Sequence, residues 1–129
     1  MKKIILSILM AMGVFNSCTA QSPVKILEPE EFIAAAKADT SAVILDVRQP
    51  SEYADGHLKG AINLNFLDSD AFAKGISALD KKRTYYLYCR SGRRSNAAPA
   101  TKMHESGFKV FDMKGGILHW TELGLPVEK

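Results

Sequence analysis

Five short apolar runs alternate with stretches of helical periodicity, and this alternation constrains the fold more than any other feature of the sequence. The runs are VKIL (24–27), AVILDV (42–47), AINLN (61–65), TYYLYC (84–89) and KVFDM (109–113). AVILDV is almost continuously apolar and β-branched, the pattern of a strand covered on both faces. The intervening segments read as helices: PEEFIAAAKA (29–38), a turn over SEYADGH (51–57), DSDAFAKGISALD (68–80), RRSNAAPATKMHESG (93–107) and GGILHWTELG (115–124). Pro and acids open the first of these, and Gly107 stops the fourth. Gly75 weakens the third. Pro99 removes a hydrogen-bond donor, so a short turn at 93–97 and a kink or restart near Pro99 are expected. Strands joined by helical crossovers specify a mainly parallel sheet with helices on both faces, an open α/β sandwich.

The N-terminus is set apart from this pattern. MKK is basic, IILSILMAMGVF is apolar, and NSCTAQ is small and polar, which is the layout of a secretory signal peptide over residues 1–20. The apolar run is too short to cross a bilayer of about 30 Å as a stable helix. Cleavage before Cys18 would give a lipoprotein acylated at that cysteine; cleavage after Ala20 would release a soluble chain from Gln21. The expected place is the periplasm or cell envelope, with membrane attachment through the N-terminal lipid in the first case. Without Lys2 and Lys3 the charge falls from 17 basic and 14 acidic residues to 15 and 14, a net +1 instead of +3. That balance gives no basis for nucleic-acid binding.

The remaining positive charge is local. YLYCRSGRRS (86–95) ends an aromatic run at Cys89 and follows it with Arg90, Arg93 and Arg94 around Gly92. With Cys18 lipidated or removed, Cys89 has no thiol partner within its chain, and a leftover cysteine in an exported protein is reactive or pairs elsewhere. Free cysteine titrates near ~8.5, and nearby cations or a helix N-terminus favour the thiolate, the nucleophilic form. Glycine permits backbone angles closed to other residues. Successive N–H groups in a tight loop form an anion-binding concavity. Binding sites in parallel α/β sheets lie at the carboxyl ends of the strands, where Cys89 falls.

DVRQPSEYADGHLKGAINLNF (46–66), YCRSGRRS (88–95) and KGGILHW (114–120) together resemble the rhodanese family of sulfurtransferases, over a domain spanning residues 24–128. The resemblance implies a rhodanese-like open sandwich around a central, mainly parallel five-stranded sheet flanked by helices. It implies that Cys89 is the catalytic residue, taking a sulfane sulfur as a persulfide and passing it to an acceptor. Arg90, Ser91, Gly92, Arg93 and Arg94 then form the substrate-binding loop. The implied donor is a small sulfane compound such as thiosulfate; the acceptor is cyanide, a thiol or another protein. No metal or organic cofactor is implied. Family members that favour thiosulfate often carry lysine at the third loop position; here it is Ser91, which leaves the arginines to attract an anionic donor.

Loop length distinguishes related chemistries. Phosphatases of this fold use Cys-x5-Arg, which would place arginine at position 95, but Ser95 stands there and the arginine is one place early. Tyr88 also replaces the histidine that many cysteine phosphatases carry before the nucleophile. Two rival readings remain: a persulfide carrier or docking module that does not turn over, and a phosphatase or arsenate reductase. Asp46 and Arg48 close the second strand as supporting residues, and Arg48 stands four positions before Glu52, a spacing that supports an ion pair on a helical turn. His57 is mostly structural in the family. His104 and His119 have no spacing partner for a metal site. Trp120 is expected to pack the last helix onto the sheet, and Gly115 and Gly116 to form a turn where a side chain would clash.

Overall fold

The computed structural model describes residues 24–91 and 98–129. Five parallel strands form one sheet in the order β1-β5-β4-β2-β3. They are β1 (Lys25–Leu27), β2 (Ala42–Asp46), β3 (Ile62–Asn63), β4 (Thr84–Tyr88) and β5 (Lys109–Met113). The helices are α1 (Pro29–Ala38), α2 (Pro50–Asp55), α3 (Ser69–Ser77), α4 (Pro99–Glu105) and α5 (Gly116–Glu122). β4 lies in the middle and is buried along its whole length, as its aromatic run requires.

Side-chain alternation along β4 divides the core into two layers. Tyr85, Leu87 and Cys89 join Phe72 and Ile76 of α3 with Ala100 and Met103 of α4. Tyr86 and Tyr88 face the other way, into Phe32 and Ala36 of α1 with Ile117 and Trp120 of α5. Trp120 is buried, and its indole N–H donates to Pro126 O at 2.9 Å, so it fixes the chain end as well as the helix.

Local chemistry explains most boundaries. α1 begins with a reciprocal capping box between Glu28 and Glu31, with Pro29 where a missing N–H costs nothing. α4 begins at Pro99 for the same reason, at the restart that its sequence implies. Gly75 is not merely a weak spot in α3: a methyl group there would overlap the Leu64 side chain, which packs against the helix backbone. β3 is two residues long, shorter than the apolar run 61–65 suggests. Asn63 turns its amide to Asp46 O at 3.0 Å and Arg48 O at 2.9 Å, and beyond it Leu64 N–H and Phe66 N–H donate to Asp46 O and Val47 O.

Candidate active site

β2 and β4 stop side by side, with Asp46 in register with Tyr88. Cys89 comes next and is buried, packed in the α3–α4 layer. On the opposite face, Asp46, Arg48 and Tyr88 form one buried network. Arg48 Nε donates to Asp46 Oδ1 at 2.9 Å and its Nη2 to Oδ2 at 2.6 Å. The same Nη2 reaches Gly56 O at 2.6 Å, and the Arg48 backbone N–H donates to Oδ1 at 2.9 Å. The Tyr88 hydroxyl donates to Asp46 Oδ2 at 2.8 Å and accepts from Leu58 N–H at 3.1 Å. Asp46 and Arg48 therefore hold the carboxyl edge of the sheet, one residue from the thiol, and make their contacts with protein groups.

The spacing of Arg48 and Glu52 is satisfied differently from the helical-turn expectation. α2 starts at Pro50 with Gln49 as its cap, so Arg48 precedes the helix. Glu52 folds back to accept from Gln49 N–H at 3.0 Å, while Arg48 pairs with Asp46. His57 stacks on Tyr53 with ring centroids 3.9 Å apart, and its Nδ1 lies 3.0 Å from Tyr53 O. Its backbone exchanges two hydrogen bonds with Glu128, tying the C-terminal segment to the α2–β3 loop. These contacts describe a structural histidine.

α5 orders the backbone that follows Cys89. Ile117 N–H donates to Cys89 O at 2.9 Å, and Leu118 N–H donates to Arg90 O at 3.0 Å. First-turn amides of a helix have no partner within it, and here the loop carbonyls take that place. A trans peptide holds its N–H opposite its C=O. The N–H groups of Arg90 and Ser91 are thus turned away from α5, two adjacent donors at the start of the loop. Gly92, Arg93, Arg94 and Ser95 lie outside the described residues, as does Cys18.

Gly116 makes the α5 contact feasible. Its φ is +62°, and a Cβ there would lie 2.5 Å from both Cys89 O and Arg90 O. Gly116→Ala should destabilise the fold by more than the ~1–3 kcal/mol of backbone strain alone. Gly124→Ala supplies the comparison: φ is +77° but nothing lies within 4 Å of the added carbon. Urea unfolding of both variants checks this, and equal losses would contradict the close approach.

Two features are not legible in the sequence. Tyr88 stands out there only as a residue other than histidine, yet its hydroxyl links β4 to β2. Asp112 is a buried carboxylate in register with Leu87 on the other flank of β4, signalled only by an acid inside an apolar run. Among the described residues, no group of three His, Cys, Asp or Glu side chains is placed to hold a metal ion.

Burial, then the neighbouring Asp46 charge, pushes the Tyr88 hydroxyl well above the ordinary tyrosine range. Burial raises Tyr85 and Tyr86 as well. A raised phenol is stabilised in its neutral form by folding. Its contribution is complete below tyrosine's usual value of about 10 and is lost as pH rises beyond it, where the unfolded chain releases protons that the folded chain keeps. Stability should therefore decline above about pH 10, and Tyr88→Phe should flatten that decline without removing the share due to Tyr85 and Tyr86. Thermal melts from pH 8 to 11 test it; an unchanged slope would argue against a buried neutral Tyr88.

Fold and site together define an open parallel α/β sandwich with a cysteine loop at the tip of its central strand. The Rhodanese-like domain family matches residues 28–123, and the chain belongs to that family. It is 36% identical over 98 residues to a "Sulfurtransferase" of Allochromatium vinosum, covering 75% of this chain and 89% of that protein. It is 30% identical over 96 residues to "Thiosulfate sulfurtransferase GlpE" of Stutzerimonas stutzeri, covering 74% of this chain and 84% of the other. Among solved structures, a rhodanese-related protein from Thermoplasma volcanium superposes with a TM-score of 0.69 at 28% identity, over 81% of this chain and 97% of that one.

Proposed function

We propose that this protein is a rhodanese-type sulfurtransferase whose Cys89 carries sulfur from a sulfane donor to a thiophilic acceptor. The single observation that supports it most is the thiol at the end of β4, followed by two peptide units that α5 holds with their N–H groups turned away from it.

In the first step the Cys89 thiolate attacks the outer sulfur of a donor such as thiosulfate. A new S–S bond forms on Cys89, the donor's own bond to that sulfur breaks, and sulfite leaves with the electron pair. The arginines of the loop attract the anionic donor, and backbone N–H groups steady the terminal sulfur of the persulfide. In the second step a nucleophile, cyanide or a thiolate, attacks that outer sulfur. The Cys89 thiolate departs and the enzyme is regenerated, with no external oxidant or reductant. A covalent intermediate of this kind gives ping-pong kinetics. The acceptor in the cell is a small thiol or a thiol on another protein.

We also read the chain as exported to the periplasm or cell envelope, from the basic, apolar and small-polar order of residues 1–20, with Cys18 as the lipidated residue.

The test is intact mass after incubation with thiosulfate. The wild type should gain one sulfur that dithiothreitol removes, and Cys89→Ala should gain none. Steady-state thiocyanate production separates an enzyme from a carrier, since a carrier stalls after one sulfur per chain. Hydrolysis of an aryl phosphate in place of sulfur uptake would overturn the proposal in favour of a phosphatase.

A further inference from the structure

All five strands are parallel, so their amino ends make one face of the domain and Cys89 stands at the opposite edge. Six cations crowd the amino-end face. Lys25 and Lys109 open β1 and β5, and Lys81, Lys82 and Arg83 lead into β4. Lys102 lies in the last turn of α4, the helix that returns the chain to this end. All six are exposed. They are also neighbours in space. Lys81 and Lys102 line one shallow depression, Lys25 and Lys109 line a second, and Phe108 belongs to both. Lys81 Nζ lies 5.5 Å from the centre of the Phe108 ring. Lys109 is in register with Thr84, the residue after Arg83.

Little on this face neutralises them. Among the described residues none of the six cations has a carboxylate within 4 Å. Three acids share the face, Asp39, Asp80 and Glu105, and the first two accept from the backbone N–H groups of Ser41 and Lys82. Lysines at this end of a parallel sheet commonly complement helix C-termini. Only Lys102 has that use here, because the other five cations lie outside the helices. The opposite edge is mixed in charge: helix starts bring Glu30, Glu31, Asp68 and Asp70, and the loop brings Arg90.

We propose that the amino-end face docks on an anionic lipid surface and turns the Cys89 edge toward the aqueous phase. Anionic headgroups attract clustered Lys and Arg side chains that lie close to the bilayer. Chain length favours this face. Six residues separate Cys18 from Lys25, and seven extended steps reach at most about 25 Å, so an acylated Cys18 keeps the start of β1 beside the membrane. Nucleic acid suits the face less well. Phe108, the ring shared by both depressions, is 4% exposed beneath the lysines and is not offered for stacking on bases. The proposal takes its membrane anchor from the export reading of residues 1–20 and is independent of the sulfur chemistry at Cys89.

The test is lysine footprinting of the full chain with an acetylating reagent on two kinds of vesicle, phosphatidylcholine alone and an equimolar mixture with phosphatidylglycerol. On the anionic vesicles Lys25, Lys81, Lys82, Lys102 and Lys109 should react at least about fivefold more slowly than on phosphatidylcholine, and about 0.5 M salt should abolish the difference. Lys114, exposed beside Glu28 at the opposite edge, should react equally on both. K81E/K82E/K109E should restore the reactivity of Lys25 and Lys102 on anionic vesicles while keeping the wild-type urea midpoint, which shows that the fold is intact. Co-sedimentation with both vesicles and no such footprint would overturn the oriented face while the anchor stands. The footprint without sedimentation on phosphatidylcholine would support the face and remove the anchor. Protection of these lysines by an oligonucleotide, and not by the vesicles, would overturn the proposal in favour of nucleic acid.

Discussion

Cys89→Ala should abolish sulfur transfer and leave the fold standing. The proposed reaction runs through a covalent persulfide, and no second cysteine of the described residues can take over the bond. With no nucleophile the covalent route is closed, and turnover should fall at least about a thousandfold. Structurally the change is small. The thiol is buried among apolar side chains and behaves there as a small hydrophobe, so its removal should cost on the order of 1 kcal/mol. Thiocyanate production measures the first effect and urea unfolding the second. Turnover within tenfold of wild type would remove Cys89 from the chemistry. Lost turnover with lost folding would mean that the thiol is principally a packing group.

Arg48→Met should be the most damaging replacement for stability. Arg48 is 5% exposed and Asp46 is 0% exposed, and the guanidinium satisfies both carboxylate oxygens and Gly56 O. Removing one partner strands the other's charge in the interior, a loss of about 3–5 kcal/mol. The companion replacement decides the cause. Adding Asp46→Asn to Arg48→Met removes the stranded charge while keeping a hydrogen-bond acceptor for Tyr88, and should restore part of the loss. The expected order in denaturant midpoint is wild type, double variant, then Arg48→Met. If the single variant lost less than about 1 kcal/mol, the pair would be contributing no more than a surface ion pair does.

Both effects depend on geometry that the sequence discloses unevenly. The bounds of α1 and β5 coincide with the segments read from residue pattern, since Pro29, a capping box and apolar periodicity are local signals. The parallel sheet followed from alternating strands and helices. Cys89 was legible as a nucleophile because its neighbours in sequence, a strand end, a glycine and arginines, are also the features that would activate it.

Arg48 is the instructive exception. An arginine four places before a glutamate suggests an ion pair on one helical turn; Glu52 does lie near enough to favour the Arg48 charge, but the direct pairing of the guanidinium is with Asp46. Proline at 50 and the Gln49 cap begin the helix after Arg48, which frees the guanidinium to turn back to Asp46. The Asn63 amide, which bridges to Asp46 O and Arg48 O, is another contact that no local pattern announces.

Sequence by itself determined the alternation of strand and helix, the parallel sheet, and the position of a lone thiol beside positive charge, because each is written in residues adjacent along the chain. Tertiary structure alone decided that Tyr88 links β4 to Asp46, and that α5 clamps the carbonyls after Cys89 with Gly116 as the point of contact. Those are contacts between residues tens of positions apart. They are fixed by which strands become neighbours and where each one stops.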